Sequence, residues 1–286
     1  MPSVFSVSRP SGRSLTGLVH GPADGTPILF IAGAGTGKSM IFGEDSLQTR
    51  GIRLITMDRP GMGGSDPDPT RTPASTADDY RAFAAAVLGV ADPSLPVVAN
   101  SQGALFGLAA AAQGWVQKLV LASPADEVAN PSVRALLPES ARALPDLAQN
   151  NPEEARDLLH SLTPHAMRDM VLEGSDAQDR AVFTAPAFDA RYQSSLAEGF
   201  ARDGSGYVAD TIMAMTRWPI DLATITSPVA ILFGTGDQVH SPDHGALLAA
   251  RLSNVQRTVI SNAAGALLWT HSDRVFDTAL PQPDAS

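Results

Sequence analysis

The sequence contains no cysteine, and this absence limits the chemistry that the protein can carry out. Without cysteine there is no disulfide framework, no thiolate nucleophile and no cysteine-bound metal site. Covalent catalysis would therefore need another side chain, and serine is the natural candidate.

Positive charge is also scarce. Lys and Arg number 20 against 30 Asp and Glu, which gives a formal net charge of -10 and an isoelectric point near 4.9. This is the wrong sign for binding a phosphate backbone, so we do not expect nucleic acid as a partner. The 6 histidines show no metal-ligand spacing, so we expect no metal, and no organic cofactor is implied.

Long apolar runs are missing as well. No stretch approaches the roughly 18 apolar residues that a membrane span needs, and the start at Met1 lacks a basic segment followed by an apolar one. We therefore expect a soluble, cytoplasmic protein with no membrane partner. The 286 residues, of which 44% are hydrophobic, suffice for one substantial core. Nothing in the sequence indicates an oligomeric state.

Short apolar runs alternate with longer helical patterns along much of the chain. The runs cover residues 26–31, 52–57, 95–99, 118–122, 228–233 and 256–260. Their continuous hydrophobicity is typical of strands that helices cover on both faces. Helices are predicted at 75–88 and 102–112, and an antiparallel pair of strands at 4–8 and 14–20. We therefore predict an α/β fold with a mostly parallel, eight-stranded sheet flanked by helices.

The strand signal disappears between residues 127 and 225. Proline-punctuated amphipathic pieces replace it, such as 152–160, 164–172 and 207–215. We therefore expect a core domain made of residues 1–126 and 226–286, and a helical cap made of residues 127–225. Seven large apolar side chains of this cap would line a pocket, although most are expected to form the cap's own core: Met167, Met170, Phe183, Phe188, Met213, Met215 and Trp218.

The sharpest local signal is in residues 97–104 (VVANSQGA), where an apolar strand runs directly into Ser101 and then into a helix. A nucleophile elbow needs small residues two positions before and after the nucleophile, and Ala99 and Gly103 meet this requirement. The backbone N–H of Gln102 would then face a developing oxyanion at the first turn of the helix. An ordinary strand-to-helix turn that contains a serine is the alternative.

Together with motifs elsewhere, this elbow resembles the α/β-hydrolase fold superfamily, in its serine-nucleophile, capped form. Residues 58–65 (DRPGMGGS) match the family's Asp-x-Pro-Gly-x-Gly-x-Ser loop. Residues 32–35 (AGAG) stand where the family writes His-Gly-x. The resemblance implies that this loop supplies the second oxyanion donor, from Gly33–Ala34 and most directly from the N–H of Ala34. The elbow itself leaves the substrate class open.

The same resemblance implies which residue is the triad acid, and it shows that the family's catalytic histidine is absent from its usual position. Asp237, soon after the run that ends at residue 233, stands where the family places its orienting carboxylate. The alternative is a turn Asp that caps the next helix, which is expected to begin near Pro242. The position of the family's catalytic histidine falls on Gly265. Since serine needs an adjacent base, His240 is the candidate substitute, although the sequence favours a solvated loop histidine at this position. His271 is expected to lie on a helix surface.

Gly265 leaves three functions open. The first is a serine hydrolase that acts through Ser101 on a small, moderately apolar ester, lactone, amide or C–C bond. The second is a lyase, isomerase or cyclase that uses the oxyanion hole without acylation, and the third is a receptor that returns its ligand unaltered. A histidine removed by design would also explain Gly265, but Ala32 and Ala99 depart from the family pattern too, which favours natural divergence.

Residues 32–39 (AGAGTGKS) suggest a different function, because they come close to the phosphate-binding loop G-x-x-x-x-G-K-[ST]. Asp58 could then serve as the Mg²⁺-binding carboxylate of a neighbouring strand. However, Gly43 interrupts the helix that should follow such a loop, and the elbow and Asp237 have no place in that fold. A nucleotide binder of this type is therefore kept only as a distant alternative.

Overall fold

The computed structural model describes residues 2–280, so Met1 and residues 281–286 of the predicted core domain lie outside the described residues. Eight strands form one sheet. They are β1 (Ser3–Ser8), β2 (Ser14–His20), β3 (Thr26–Ile31), β4 (Ile52–Met57), β5 (Leu95–Ser101), β6 (Val116–Pro124), β7 (Val229–Gly234) and β8 (Val255–Ile260).

Within the described residues, thirteen helices surround the sheet or connect its strands. They are α1 (Glu44–Leu47), α2 (Pro73–Leu88), α3 (Gly103–Ala112), α4 (Pro131–Leu136), α5 (Glu139–Asn150), α6 (Pro152–His160), α7 (Pro164–Gly174), α8 (Ala177–Phe183), α9 (Pro186–Gly199), α10 (Ser205–Met215), α11 (Ala246–Ala250), α12 (Leu267–Thr270) and α13 (Ser272–Ala279). Short 3₁₀ turns lie at Arg202–Gly204 and Leu222–Thr224. Among the helices of residues 2–280, none has the length and apolar character that crossing a membrane requires.

The strand order is β1-β2-β4-β3-β5-β6-β7-β8. The β1–β2 and β2–β4 pairs are antiparallel, and every other pair is parallel. The predicted α/β fold with a mostly parallel, eight-stranded sheet is therefore confirmed. Because parallel strands all end at the same edge, the loops after β3, β5, β7 and β8 meet there.

Each central strand is buried on both faces, which accounts for its continuous apolar sequence. In β5, Val97 and Ala99 pack into a core with side chains of α2 and α3, whereas Val98 packs on the other face with side chains of α13. The apolar runs of the central strands therefore correspond to strands covered by helices on two sides, as predicted. The run at 256–260 differs, because it forms the edge strand β8, whose residues are exposed or only partly buried.

Two helix boundaries differ from the prediction. Helix α2 begins earlier than predicted because Thr72 and Ser75 form a capping box: the Thr72 hydroxyl accepts the Ser75 N–H at 3.1 Å, and the Ser75 hydroxyl accepts the Thr72 N–H at 2.8 Å. The helix expected near Pro242 begins only at Ala246. There Asp243, and not Asp237, accepts the backbone N–H groups around the helix start.

Residues 125–228, between β6 and β7, are described throughout and contain helices and turns but no strand. We call them the helical segment. Helix α9 of this segment lies directly on the loop after β3, where the Gly37 N–H donates to the Ser195 carbonyl at 2.9 Å. A Cβ built on Gly199 would lie only 1.9 Å from the Gly35 carbonyl oxygen, so this close approach requires glycine.

Gly103 offers a test of how closely α3 packs on the end of β3. A Cβ at this position would lie 2.5 Å from the Ile31 carbonyl oxygen and 2.7 Å from that of Ala32. We predict that Gly103→Ala lowers the free energy of unfolding by about 1–3 kcal/mol, because the strand end must shift. Urea unfolding measures this change.

Gly174→Ala is the matched control, since a Cβ at the end of α7 meets no atom within 4 Å. This variant should be as stable as the wild type or slightly more stable. Equal stability of Gly103→Ala and the wild type would contradict the close packing of α3 on β3.

Candidate active site

Ser101 ends β5 with a backbone φ of 50°, in the left-handed region. A residue with a side chain adopts this conformation at a cost of about 1–2 kcal/mol, so the surrounding structure must impose it. The turn is tight on both sides. A Cβ built on Gly33 would lie 3.2 Å from the Cβ of Ser101, and Gly103 leaves no room for one. The geometry is that of the predicted strand-to-helix elbow.

The loop after β3 lies beside Ser101, and a buried arginine holds its backbone. Arg59 donates to the carbonyl oxygens of Ala32 and Gly33, each at 2.8 Å, and pairs with Asp210 of α10. The C=O and N–H of a trans peptide point in opposite directions, so the N–H of Ala34 points away from Arg59. Gly33 and Ala34 line the same cavity as Ser101.

Gln102 follows Ser101 with helical backbone angles, φ −58° and ψ −24°. Its backbone N–H therefore lies at the N-terminus of the 10-residue helix α3, where helix N–H groups are free to bind negative charge. Its side chain points elsewhere, since Nε2 donates to the hydroxyl of Thr211 on α10 at 3.4 Å. The side chain of Gln102 thus contacts α10, whereas its backbone N–H lies at the start of α3.

Asp237 and His240 contact each other on the loop after β7. Nδ1 of His240 lies 3.0 and 2.9 Å from the two carboxylate oxygens of Asp237. The same carboxylate accepts the backbone N–H groups of Val239 and His240. The His240 side chain is only 14% exposed and lines the cavity. Its surroundings are therefore not those of a solvated loop histidine.

The charge of Asp237 follows from these contacts. Burial alone would raise the pKa of Asp237, but the charge of His240 and the hydrogen bonds from its ring and backbone outweigh burial and lower this pKa to about 2. The carboxylate is ionised at neutral pH and holds the proton on Nδ1 of His240. An imidazole with its proton on Nδ1 keeps a lone pair on Nε2, so Nε2 can accept a proton.

Gly265 lies in the loop after β8, next to this pair. A Cβ built on Gly265 would lie 3.0 Å from Oδ2 of Asp179, 3.6 Å from Oδ1 of Asp237 and 3.8 Å from Cε1 of His240. The space that a side chain at position 265 would enter is therefore already bounded by two carboxylates and the imidazole ring. A Cβ at 265 would be tight only against Asp179, and a side chain longer than a methyl group would have to share the remaining space with all three groups.

Asp179, on α8 of the helical segment, is a site residue that the sequence analysis missed. Its carboxylate accepts the backbone N–H of Gly265 at 2.8 Å and that of Ala266 at 2.9 Å. Burial raises the pKa of Asp179, and the two backbone hydrogen bonds reduce this effect without cancelling it. In the sequence, a lone Asp on a short polar helix is indistinguishable from a surface residue.

The cavity beside Ser101 has a volume of about 140 Å³ and mainly apolar walls. Six of the apolar side chains that line it are Met40, Met167, Val171, Phe183, Phe188 and Trp269. Three of the seven apolar residues predicted for a pocket are among its walls. Met170 is half exposed, and Met213 and Trp218 pack with the sheet core instead. The aromatic rings of Phe183 and Phe188 meet Trp269 edge to face, with centroids 5.8 and 5.2 Å apart.

Lys38 of the nucleotide-loop motif is already bound by protein carboxylates. Its ammonium lies 2.8 Å from Asp58 and 2.8 Å from Glu198 of α9, and Ser39 donates to Glu198 through both its N–H and its hydroxyl. Burial would lower the pKa of Lys38, but these two carboxylates raise it. The helix after this loop begins only at Glu44 and has 4 residues. A phosphate group therefore finds neither a free lysine nor a helix N-terminus here.

The structure thus brings most of the predicted site residues together. Gly33, Ala34, Ser101, His240 and Gly265 line one cavity, with Asp237 behind His240 and Gln102 at the start of α3. His271 stays outside it, where Nδ1 lies 2.9 Å from the hydroxyl of Thr270. Within residues 2–280, no three potential metal-ligand side chains are grouped to hold an ion.

Comparison with known families agrees with this geometry. A family model described as alpha/beta hydrolase fold matches residues 26–272, from β3 to the first residue of α13. The chain belongs to the alpha/beta hydrolase fold family. In this alpha/beta hydrolase, the matched region contains the elbow, the Asp237–His240 loop and Gly265. The resemblance that the motifs indicated is confirmed at the level of the family.

Solved structures show the same fold at low sequence identity. A hydrolase from Pseudomonas aeruginosa is 20% identical, with 97% of this chain and 96% of that chain covered and a TM-score of 0.68. An enol-lactonase from Burkholderia xenovorans is 19% identical, with 96% and 97% covered and a TM-score of 0.67. An esterase from Rhodococcus is 20% identical, with 96% of each chain covered and a TM-score of 0.64. No curated protein matches the sequence.

Proposed function

We propose that this protein is a serine hydrolase in which His240, held by Asp237, is the base that activates Ser101. The observation that carries the proposal is the contact of Nδ1 of His240 with Asp237, in a ring that lines the same cavity as Ser101. Nucleophile, base and orienting acid are thereby all supplied, in the chain order Ser, Asp, His.

The proposed reaction has two halves. Nε2 of His240 takes the hydroxyl proton as Oγ of Ser101 attacks the substrate carbonyl carbon, and the imidazolium then returns this proton to the leaving group, which departs as an alcohol or amine. Water, deprotonated by the same Nε2, attacks the acyl-serine, and the proton goes back to Oγ as the acid is released. Asp237 stabilises the imidazolium in both halves without itself being protonated.

The oxyanion of each tetrahedral intermediate would be bound by the N–H groups of Ala34 and Gln102. Arg59 supports this assignment, because it holds the carbonyl of Gly33 and so directs the Ala34 N–H away from itself. The N-terminal position of Gln102 on α3 adds the positive end of the helix dipole. Donors fixed in this way need no rearrangement as negative charge develops.

In this mechanism Gly265 is the residue that leaves room for the base, His240. In the family pattern the catalytic histidine follows the last strand; here, the proposed base follows β7 instead, and a side chain at 265 would crowd its ring. The lyase, isomerase or cyclase alternative arose from the lack of a base. Because His240 lies beside Asp237 as a candidate base, this reason for the alternative no longer holds. The nucleotide-binding alternative is disfavoured because Asp58 and Glu198 already bind Lys38.

We further propose that residues 127–225 act as a cap that selects the substrate. Met167, Phe183 and Phe188, which belong to this range, form part of the cavity wall. Their apolar surfaces suit a small, moderately apolar ester, lactone, amide or cleavable diketone. The hydrolase, enol-lactonase and esterase among the similar structures support hydrolysis of an ester or lactone.

His240→Ala tests the assignment of the base. We predict that it lowers kcat for p-nitrophenyl butyrate by roughly 10²–10⁴-fold, as expected for loss of a general base. His165→Ala, at a histidine that is 80% exposed on α7, is the matched control and should keep full activity. Ser101→Ala should abolish both turnover and labelling by a fluorophosphonate. Undiminished activity of His240→Ala, or labelling that does not require Ser101, would refute the proposed mechanism.

Gly265→His tests whether the site already contains its base. We predict that restoring the family's histidine lowers kcat/KM by at least about tenfold, because its Cβ would lie 3.0 Å from Asp179 and its ring would compete with His240 for space. Turnover of p-nitrophenyl butyrate and the melting temperature are measured together. A large gain in turnover would mean that the wild-type site lacks a working base, contrary to the proposal.

A further inference from the structure

The cavity contains one carboxylate for which the proposed reaction has no use. Asp179 is only 4% exposed and lines the cavity among mainly apolar and aromatic side chains. Each of its oxygens accepts one backbone N–H, from Gly265 and Ala266. An ionised carboxylate has about four acceptor positions, so roughly half of its capacity remains for a ligand.

No cation in the described part of the chain balances the charge of an ionised Asp179. Within residues 2–280, Asp179 forms no ion pair with Lys, Arg or His, and the charged groups that affect its pKa most are two further carboxylates, Asp176 at the start of its own helix and Asp237 on the loop after β7. The carboxylate of Asp237 is already paired with His240, which is the only basic residue that residues 2–280 contribute to the cavity wall. A buried carboxylate without a counter-charge is costly, and a cationic ligand would recover part of that cost.

The neighbouring aromatic rings favour the same kind of ligand. Phe183, Phe188 and Trp269 line the cavity together with Asp179, and the faces of such rings attract cations. A carboxylate beside aromatic rings is a suitable environment for an ammonium group, because the carboxylate supplies a charged acceptor and the rings supply apolar surface.

We propose that Asp179 is a specificity-determining residue that selects carbonyl substrates bearing an ammonium group, and that it excludes substrates with a carboxylate at the same place. The inference deepens the proposed function and rests on it for the nature of the reaction, but not for the binding preference. A neutral substrate with a hydroxyl donor should rank between the two. A role of Asp179 limited to fastening the loop around Gly265 would give no discrimination by charge.

The volume of the cavity limits the size of the probe ligands. A cavity of about 140 Å³ is close to the roughly 150 Å³ that holds a benzene molecule in an engineered protein cavity. Benzylammonium, benzyl alcohol and phenylacetate each carry one benzene ring and a short polar group, and they differ in charge. None of them can acylate Ser101, so their binding is independent of whether the protein hydrolyses esters.

The experiment measures the Kd of each probe for the full-length protein by calorimetry at neutral pH. We expect benzylammonium to bind at least about tenfold more tightly than phenylacetate, with benzyl alcohol between them. In Asp179→Asn, which keeps the size and one acceptor oxygen, the difference should fall below about threefold. Asp176→Asn is the matched control: it removes a neighbouring charge but keeps a good helix cap, and should preserve the full difference.

Equal or tighter binding of phenylacetate by the wild type overturns the inference, and this comparison needs no variant to fold. Preserved discrimination in Asp179→Asn, at an unchanged melting temperature, also overturns it. These outcomes are separate from failure of the proposed function, which appears as absence of fluorophosphonate labelling at Ser101. If the protein binds benzylammonium selectively but is not labelled, the inference about specificity stands and the proposed hydrolase mechanism is refuted.

Discussion

The hydrogen bond between Nδ1 of His240 and Asp237 is the interaction on which the account of this site depends. The two residues are three positions apart on one loop, so the loop can form the pair without help from another strand end. The loop also keeps Asp237 ionised, since the contacts with His240 lower the pKa of Asp237 despite its burial. This arrangement needs space for the imidazole ring of His240, and Gly265, which has no side chain, leaves space beside that ring.

Carboxylates of the helical segment fasten the core loops that form the cavity. Asp179 holds the loop after β8, Glu198 binds Lys38 and Ser39 in the loop after β3, and Asp210 pairs with Arg59. Each contact joins a helix of the segment to the edge of the sheet where the site lies. The helical segment therefore contributes to the shape of the site itself as well as to its apolar walls.

The fold and the backbone of the site could be predicted because their signals are local. Continuous apolar runs specify buried parallel strands, and a serine between small residues at a strand end specifies a tight turn, as at Ser101. In both cases the physical requirement is met within about ten neighbouring residues, so the sequence pattern records it. The role of Asp237, by contrast, was implied only by the family resemblance, through its place after the strand that ends at residue 233.

The remaining parts of the site depend on contacts between distant segments. The sequence favoured a solvated loop for His240, because nothing near it in the chain shows that Gly265 leaves room for its ring. Asp179 was missed for the same reason, since its burial results from packing of α8 on a loop much later in the chain. The phosphate-loop motif suggested a site that distant residues occupy, because Asp58 and Glu198 bind its lysine, Lys38.

Chemical rescue of His240→Ala by free imidazole tests the central claim most directly, because the substitution leaves a space of the ring's own size beside Asp237. If His240 is the base, imidazole should restore hydrolysis of p-nitrophenyl butyrate in this variant in a saturable way, and should not restore it when Ser101→Ala is also present. Full activity of His240→Ala without imidazole, or rescue that persists without Ser101, would contradict the account.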